Sequence, residues 1–253
     1  MITIAVANQK GGVGKTTIAF NLTHILASRK KRILCVDNDA QAHLTGSFLP
    51  QKSDLSASIV QAYENKMVRP QKISKYIHLI GSDARLAQVT DGDIETIYLL
   101  RDTLHKLKAE RAGYDYVIID CLPSTSYIQM AALTAADYVL IPVKPAPYAL
   151  KGMVDFLNQV EKLKKRLNPT LKILGIVINQ ADGRKPNLER DMEEALREQY
   201  GGLVFQTKVN KRVNVAASPA FQQPITAYEP KSPAAKEFRD LAKEVISRSR
   251  EDI

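Results

Sequence analysis

The chain is poor in cysteine and has no long apolar run, and both absences narrow what it can be. Only two cysteines, Cys35 and Cys121, occur in 253 residues, so nothing suggests an oxidising compartment. No apolar stretch approaches the ~20 residues that span a bilayer. A secretory leader is not expected either, because the apolar segment before residue 9 is too short for one. Internal repeats, long low-complexity tracts and linkers are missing too. The expectation is a cytoplasmic protein with a single domain over residues 1–253. Acidic residues are also in deficit, 27 against 36 basic ones, which leaves a formal charge of +9. That excess favours polyanionic partners, nucleic acid or an anionic membrane surface, although a merely basic soluble protein has the same composition.

What is present is a 45% hydrophobic content, enough for one sizeable α/β core. Short β-branched runs alternate with longer helical patterns, which predicts a mostly parallel twisted sheet flanked by helices on both faces. The clearest strands are Ile2–Ala7, Ile33–Asp37, Tyr116–Asp120, Tyr138–Val143 and Ile173–Asn179, with a weaker one at Ile77–Ile80 and a last one near Val204–Val209. A first helix carries Ile18, Leu22, Ile25 and Leu26 at helical spacing. Others fit Glu95–Arg111, Gln129–Ala135, Leu150–Leu167, Leu188–Tyr200 and Ala234–Arg248. Residues 50 to 75 and 207 to 231 are the least regular, and functional loops are expected there.

The segment VANQKGGVGKTT, residues 6 to 17, follows the first strand and opens the first helix. That context identifies a phosphate loop: Gly, four residues, Gly-Lys, then Ser or Thr. Gly11, Gly12, Val13 and Gly14 offer backbone amides to phosphate oxygens, aided by the helix N-terminus. Lys15 is expected to reach the β- and γ-phosphates, Thr16 to ligate Mg²⁺, and Thr17 to bond near the α-phosphate. Two features are unusual. Gln9 stands where the opening glycine belongs, and Lys10 adds a second lysine to the loop.

Two acidic segments follow strands. Asp120 ends YVIID, four hydrophobics and an acid, the pattern of a carboxylate that holds Mg²⁺ directly or through water. In VDNDAQ, Asp37 and Asp39 are two apart on an extended segment and face the same way, towards the γ-phosphate and its metal. Paired acids after a strand also serve as helix caps, so both readings stand at this level.

Taken together, these motifs resemble the deviant phosphate loop of the ParA/MinD ATPases, their Asp-x-Asp-Pro-Gln segment (VDNDAQ) and their Asp-x-Pro-Pro-Ser segment (IIDCLPS). The stretch from Val209 to Val245 is similar to the C-terminal region of the short, Soj-like ParA partition proteins. The resemblance covers essentially the whole chain and implies a single-domain P-loop NTPase, with no helix-turn-helix domain before the loop. It further implies an Mg²⁺-dependent ATPase that is slow alone and stimulated by a ParB-type centromere-binding protein. The ATP-bound homodimer would bind DNA without sequence preference. In such a family the early lysine, Lys10 here, crosses the dimer interface to the other subunit's phosphates. Asp39 matches the residue needed for hydrolysis, and Asp37 and Asp120 those that order Mg²⁺ through water. Asn179 matches the asparagine that recognises adenine, an amide that donates and accepts together.

The sequence departs from the family pattern in places. Ala40 and Leu122 replace prolines, and Asn214 and Ala217 stand where an arginine and a glutamate are usual. DNA contacts are therefore expected from Arg184, Lys185, Lys211 and Arg212. Lys162 to Arg166, Arg248 and Arg250 come next. Four rival readings are a MinD-like membrane regulator using the C-terminal helix, a ParA-like ATPase positioning another cargo, an electron carrier sharing an iron–sulfur cluster, and a small-molecule kinase. Membrane association is not expected, because the stripe Phe238, Leu241, Ala242, Val245, Ile246 is narrow enough to pack on the domain.

Overall fold

Side-chain alternation assigns each strand to two apolar layers. In β1 (Ile2–Val6), Ile4 and Val6 enter one cluster and Ala5 the other; in β5 (Tyr116–Cys121), Tyr116 and Ile118 oppose Val117 and Ile119. A strand apolar on both faces belongs in the middle of a covered sheet. The computed structural model describes residues 1–51, 55–89, 94–110, 113–146, 149–181 and 186–250, and among these it forms an eight-stranded sheet of order β3-β4-β2-β5-β1-β6-β7-β8. The other strands are β2 (Ile33–Asn38), β3 (Gln71–Lys72), β4 (Ile77–Ile80), β6 (Tyr138–Val143), β7 (Lys172–Ala181) and β8 (Val209–Asn210). All neighbours pair in parallel except β3 with β4.

One face is covered by α1 (Lys15–Ser28), α2 (His43–Phe48) and, late in the chain, α9 (Val213–Ala217), α10 (Ile225–Tyr228) and α11 (Pro233–Arg248). The other carries α3 (Ile59–Tyr63), α4 (Leu86–Val89), α5 (Thr96–Ala109), α6 (Tyr127–Ala135), α7 (Ala149–Arg166) and α8 (Pro186–Tyr200). The expected α/β architecture is therefore present, with central strands within about two residues of expectation. The expected helix end at Arg111 lies outside the described residues.

The last strand differs from expectation. Val204 makes only an isolated bridge to Ile176, and β8 is confined to Val209–Asn210. The reason lies in α11: the backbone N–H groups of Gln206 and Thr207 donate to the Glu244 carboxylate at 2.9 and 3.1 Å, so a side chain takes the place of a strand partner. The same helix settles the fate of the apolar C-terminal stripe. Phe238, Leu241, Ala242 and Val245 are fully buried against the domain. Ser232 caps the helix by accepting from the Ala235 N–H, and Arg248 locks its end. The Arg248 guanidinium donates to the carbonyls of Leu174, Gly202, Leu203 and Val204 and to Glu244, and lies 4.1 Å from the centre of the Phe205 ring. Arg248 is thus a structural clasp rather than a free cation. No helix among the described residues is long and apolar enough to cross a membrane.

Candidate nucleotide site

The C-terminal ends of β1, β2, β5, β6 and β7 lie along one edge of the sheet, where open α/β folds place their ligands. The loop after β1 is held from three sides. Asn8 donates to the Pro142 carbonyl of β6 at 2.7 Å and accepts from the Lys10 N–H at 2.9 Å. The Gln9 carboxamide donates to Gln159 on α7. Asn179 at the end of β7 donates to the Val13 carbonyl at 2.7 Å. Gln9 therefore uses a side chain to fix the loop where the usual motif has a glycine.

Gly14 sits at φ +88°, in the left-handed region that only glycine enters without cost, and an added Cβ there would collide with the Asn179 amide. It starts α1 with no side-chain cap and no acid in the first turn, so the helix N-terminus stays open for an anion. Lys15 is turned inward and its Nζ donates to the Lys10 carbonyl at 3.1 Å. Burial pulls its pKa below the ordinary lysine value, against the pull of Asp120, Cys121 and Asp39. The Lys10 side chain is exposed.

Asp37 and Asp120 end neighbouring strands in register and are 0% and 1% exposed. Asp37 Oδ2 accepts from both the backbone N–H and the hydroxyl of Thr45, each at 2.7 Å, and Oδ1 accepts from the Asp39 N–H at 3.2 Å. It thereby anchors the first turn of α2, so the helix-cap reading holds for Asp37 alongside any role towards a metal. Burial pushes its carboxyl up to about 6, opposed by the Thr45 bonds. Burial and the neighbouring Asp37 hold Asp120 well above the ordinary range, opposed by a hydrogen bond from Thr16. Asp120 Oδ1 is buried and has no partner among the described residues. Asp39 is half-buried and accepts from the Gln41 N–H at 3.0 Å.

These groups fit Mg²⁺. The ion keeps several waters and is held by one or two carboxylates plus substrate phosphates rather than by an all-protein cage. An orphaned buried carboxylate oxygen beside the Thr16 hydroxyl is such a place, and no cluster of three or more His, Cys, Asp or Glu able to hold a metal exists among the described residues. Two cavities meet here. One of about 630 Å³ is lined by Gly12, Gly14, Lys15, Thr16 and Asp39 among others. The second, about 570 Å³, is lined by Asn179, Val209, Lys211, Arg212 and Val215 among others. The first has the donors for phosphates, and the second has the apolar walls and amides that a base needs.

Most expected site residues therefore converge. Arg184 and Lys185 lie outside the described residues. Lys211 and Arg212 are placed on the wall of the second cavity, and Arg212 is paired with Glu237 at 2.6 Å. Sequence reasoning missed Thr45, which holds Asp37 from eight residues away, and Gln180, which lines both cavities. The cysteines are buried, Cys35 fully and Cys121 to 1% exposure, and burial raises both thiols. Neither offers the surface thiolate that a shared cluster requires.

Comparison with known proteins agrees with this geometry. A family model described as an AAA domain matches residues 1–173. A chromosome partitioning protein ParA of Myxococcus xanthus is 36% identical over 257 residues, covering 97% of this chain and 88% of that protein. The chromosome-partitioning ATPase Soj of Thermus thermophilus is 35% identical, covering 98% of this chain and 96% of its own length. Among solved structures, cobyrinic acid a,c-diamide synthase from Mycobacterium smegmatis with an ATP analogue and magnesium superposes with a TM-score of 0.83 at 26% identity. The match covers 100% of this chain and 97% of that one.

Proposed function

The chain belongs to the ParA/MinD family of P-loop ATPases, with ATP and Mg²⁺ as its cofactors, and from that premise we propose that it is a DNA-partition ATPase whose ATP-bound homodimer binds DNA. The observation that carries the proposal is the division of labour in the phosphate loop. Lys15 is buried and already turned onto the loop, so it serves the nucleotide of its own subunit. Lys10 projects from the same loop into solvent, free to reach a triphosphate across an interface. Charge-assisted contacts of this kind are the strong ones, so loss of the γ-phosphate weakens the dimer.

Within one subunit Thr16, Asp37 and Asp120 would hold Mg²⁺, the two carboxylates through water. When bound, the ion neutralises charge on the β- and γ-phosphates. Asp39 orients the attacking water, and Asn179 and the walls of the second cavity take adenine. No arginine lines the phosphate cavity among the described residues. A transition-state arginine is worth ~10³–10⁵ in turnover, so hydrolysis by the isolated protein is slow and waits for a ParB-type partner. Contacts from Arg184, Lys185, Lys211 and Arg212 fall on phosphates, which carry no sequence information. Burial of the apolar face of α11 supports DNA over a membrane as the surface engaged.

The test is binding of the purified protein to two unrelated duplexes at low salt with MgATP, MgADP or no nucleotide. The expected result is retention of both duplexes equally and only with MgATP. Failure to bind any duplex with MgATP would end the partition reading and favour another cargo.

A further inference from the structure

The two cavities of the nucleotide site share two lining residues, Thr17 and Gln180. Thr17 belongs to the phosphate loop; Gln180 comes from the far side, at the end of β7. Its backbone is at φ +58°, a left-handed conformation that a residue with a side chain enters only at a cost. The strand explains how it arises. Asn179 pairs with Val209 and Ala181 with Asn210, so one extra residue of β7 stands against adjacent residues of β8. Such a bulge re-aims a side chain, and bulges concentrate next to ligand sites.

Here it turns Gln180 over Gly14. An added Cβ at Gly14 would lie 3.3 Å from Gln180 Nε2, so the missing side chain of Gly14 makes room for the carboxamide. Gln180 is half-buried, and its side chain makes no hydrogen bond to another described residue. Strain kept at a site that holds an uncommitted polar group points from the outlier towards function.

We propose that Gln180 is a nucleotide-binding residue whose carboxamide, carried over Gly14 by the bulge in β7, hydrogen-bonds the ribose–α-phosphate segment of ATP. The proposal rests on the ATP reading above. With phosphates in the first cavity and base in the second, that segment passes between Thr17 and Gln180. A carboxamide suits it, because it donates to phosphate oxygens and also accepts from ribose hydroxyls. The segment is common to ATP and ADP. Gln180 therefore sets affinity for both nucleotides and does not report the γ-phosphate, which separates its role from that of Lys10.

Calorimetric titration of the full chain with MgATP and MgADP tests this. Gln180→Ala keeps the Cβ and the backbone conformation, and should weaken both nucleotides about tenfold, the worth of one such bond. Gln180→Glu keeps the length but brings a negative charge to the phosphates, and should bind more weakly still. Gln180→Gly relieves the backbone, so the nucleotide-free protein should melt higher than wild type while binding as poorly as the alanine variant. A repeat with 2′-deoxy-ATP narrows the bond: a smaller loss on Gln180→Ala places it on the ribose 2′-hydroxyl, an equal loss on the 3′-hydroxyl or the phosphate. Alanine and glutamate variants that bind both nucleotides within about twofold of wild type would overturn the proposal. A wild-type protein that binds neither nucleotide would instead overturn the ATP reading itself.

Discussion

Asp37 and Asp120 face each other in register on adjacent parallel strands, both essentially excluded from solvent. Burial raises the cost of ionising either carboxylate, and at Asp120 the charge of Asp37 adds to it. Both are consequently held above the ordinary 3.8, Asp37 at about 6. Between those values the folded state keeps protons that the unfolded chain has released. Stability of the nucleotide-free protein thus falls as pH rises from about 4 through 6. Asp120→Asn removes one charge of the pair. We expect its melting temperature at pH 8 to exceed that of wild type by about 2–4 °C, with a smaller difference at pH 4.5. Mg²⁺-dependent hydrolysis should be lost. Calorimetry at the two pH values and a phosphate-release assay check both halves; a variant less stable at pH 8 would refute the repulsion.

The C-terminal helix is a packing element, and Phe238 is the largest fully buried side chain of its apolar stripe. Phe238→Ala should cost about 3–5 kcal/mol of unfolding free energy in a denaturant titration. Wild-type protein should not sediment with anionic vesicles in MgATP. Nucleotide-dependent vesicle binding that Phe238→Ala abolishes without loss of stability would instead restore the membrane reading.

Salt dependence counts the phosphate contacts to DNA. Lys185, Lys211 and Arg212 from each subunit give about six contacts in a dimer, hence a log–log slope of about −5, at roughly −0.9 per contact. Lys185→Glu should flatten the slope by about 2 and weaken unrelated duplexes equally, with dimerisation intact. An unchanged slope would move the contact surface to Lys162–Arg166 at the end of α7.

Much of this site is legible in the sequence because phosphate binding is local. Gly11, Gly12, Gly14, Lys15 and Thr16 act within one turn of chain, so their spacing is the geometry. Asp37 and Asp120 are legible as strand ends because their strands are apolar runs. The supports are not legible. Thr45 lies in a six-residue helix too short to show a period. The Gln9–Gln159 bond joins residues 150 apart. Gln180 is aimed by a bulge that depends on its pairing with β8, and β8 itself is shortened because Glu244 takes the amides before it. Arg248, one of the candidate surface cations by sequence, finds its carbonyl partners only after α11 has packed.

The central claim is that the two lysines of the phosphate loop do different work. Lys15 binds the Lys10 carbonyl, not its side chain, so Lys10→Ala leaves that bond and the loop intact. Light scattering of wild type, Lys10→Ala and Asp39→Ala with MgATP tests the claim most directly, with MgATP binding measured alongside. The account predicts an ATP-dependent dimer for wild type, and a longer-lived dimer with poor turnover for Asp39→Ala. Lys10→Ala should remain a monomer that still binds MgATP. A Lys10→Ala protein that dimerises with MgATP as wild type does would contradict it.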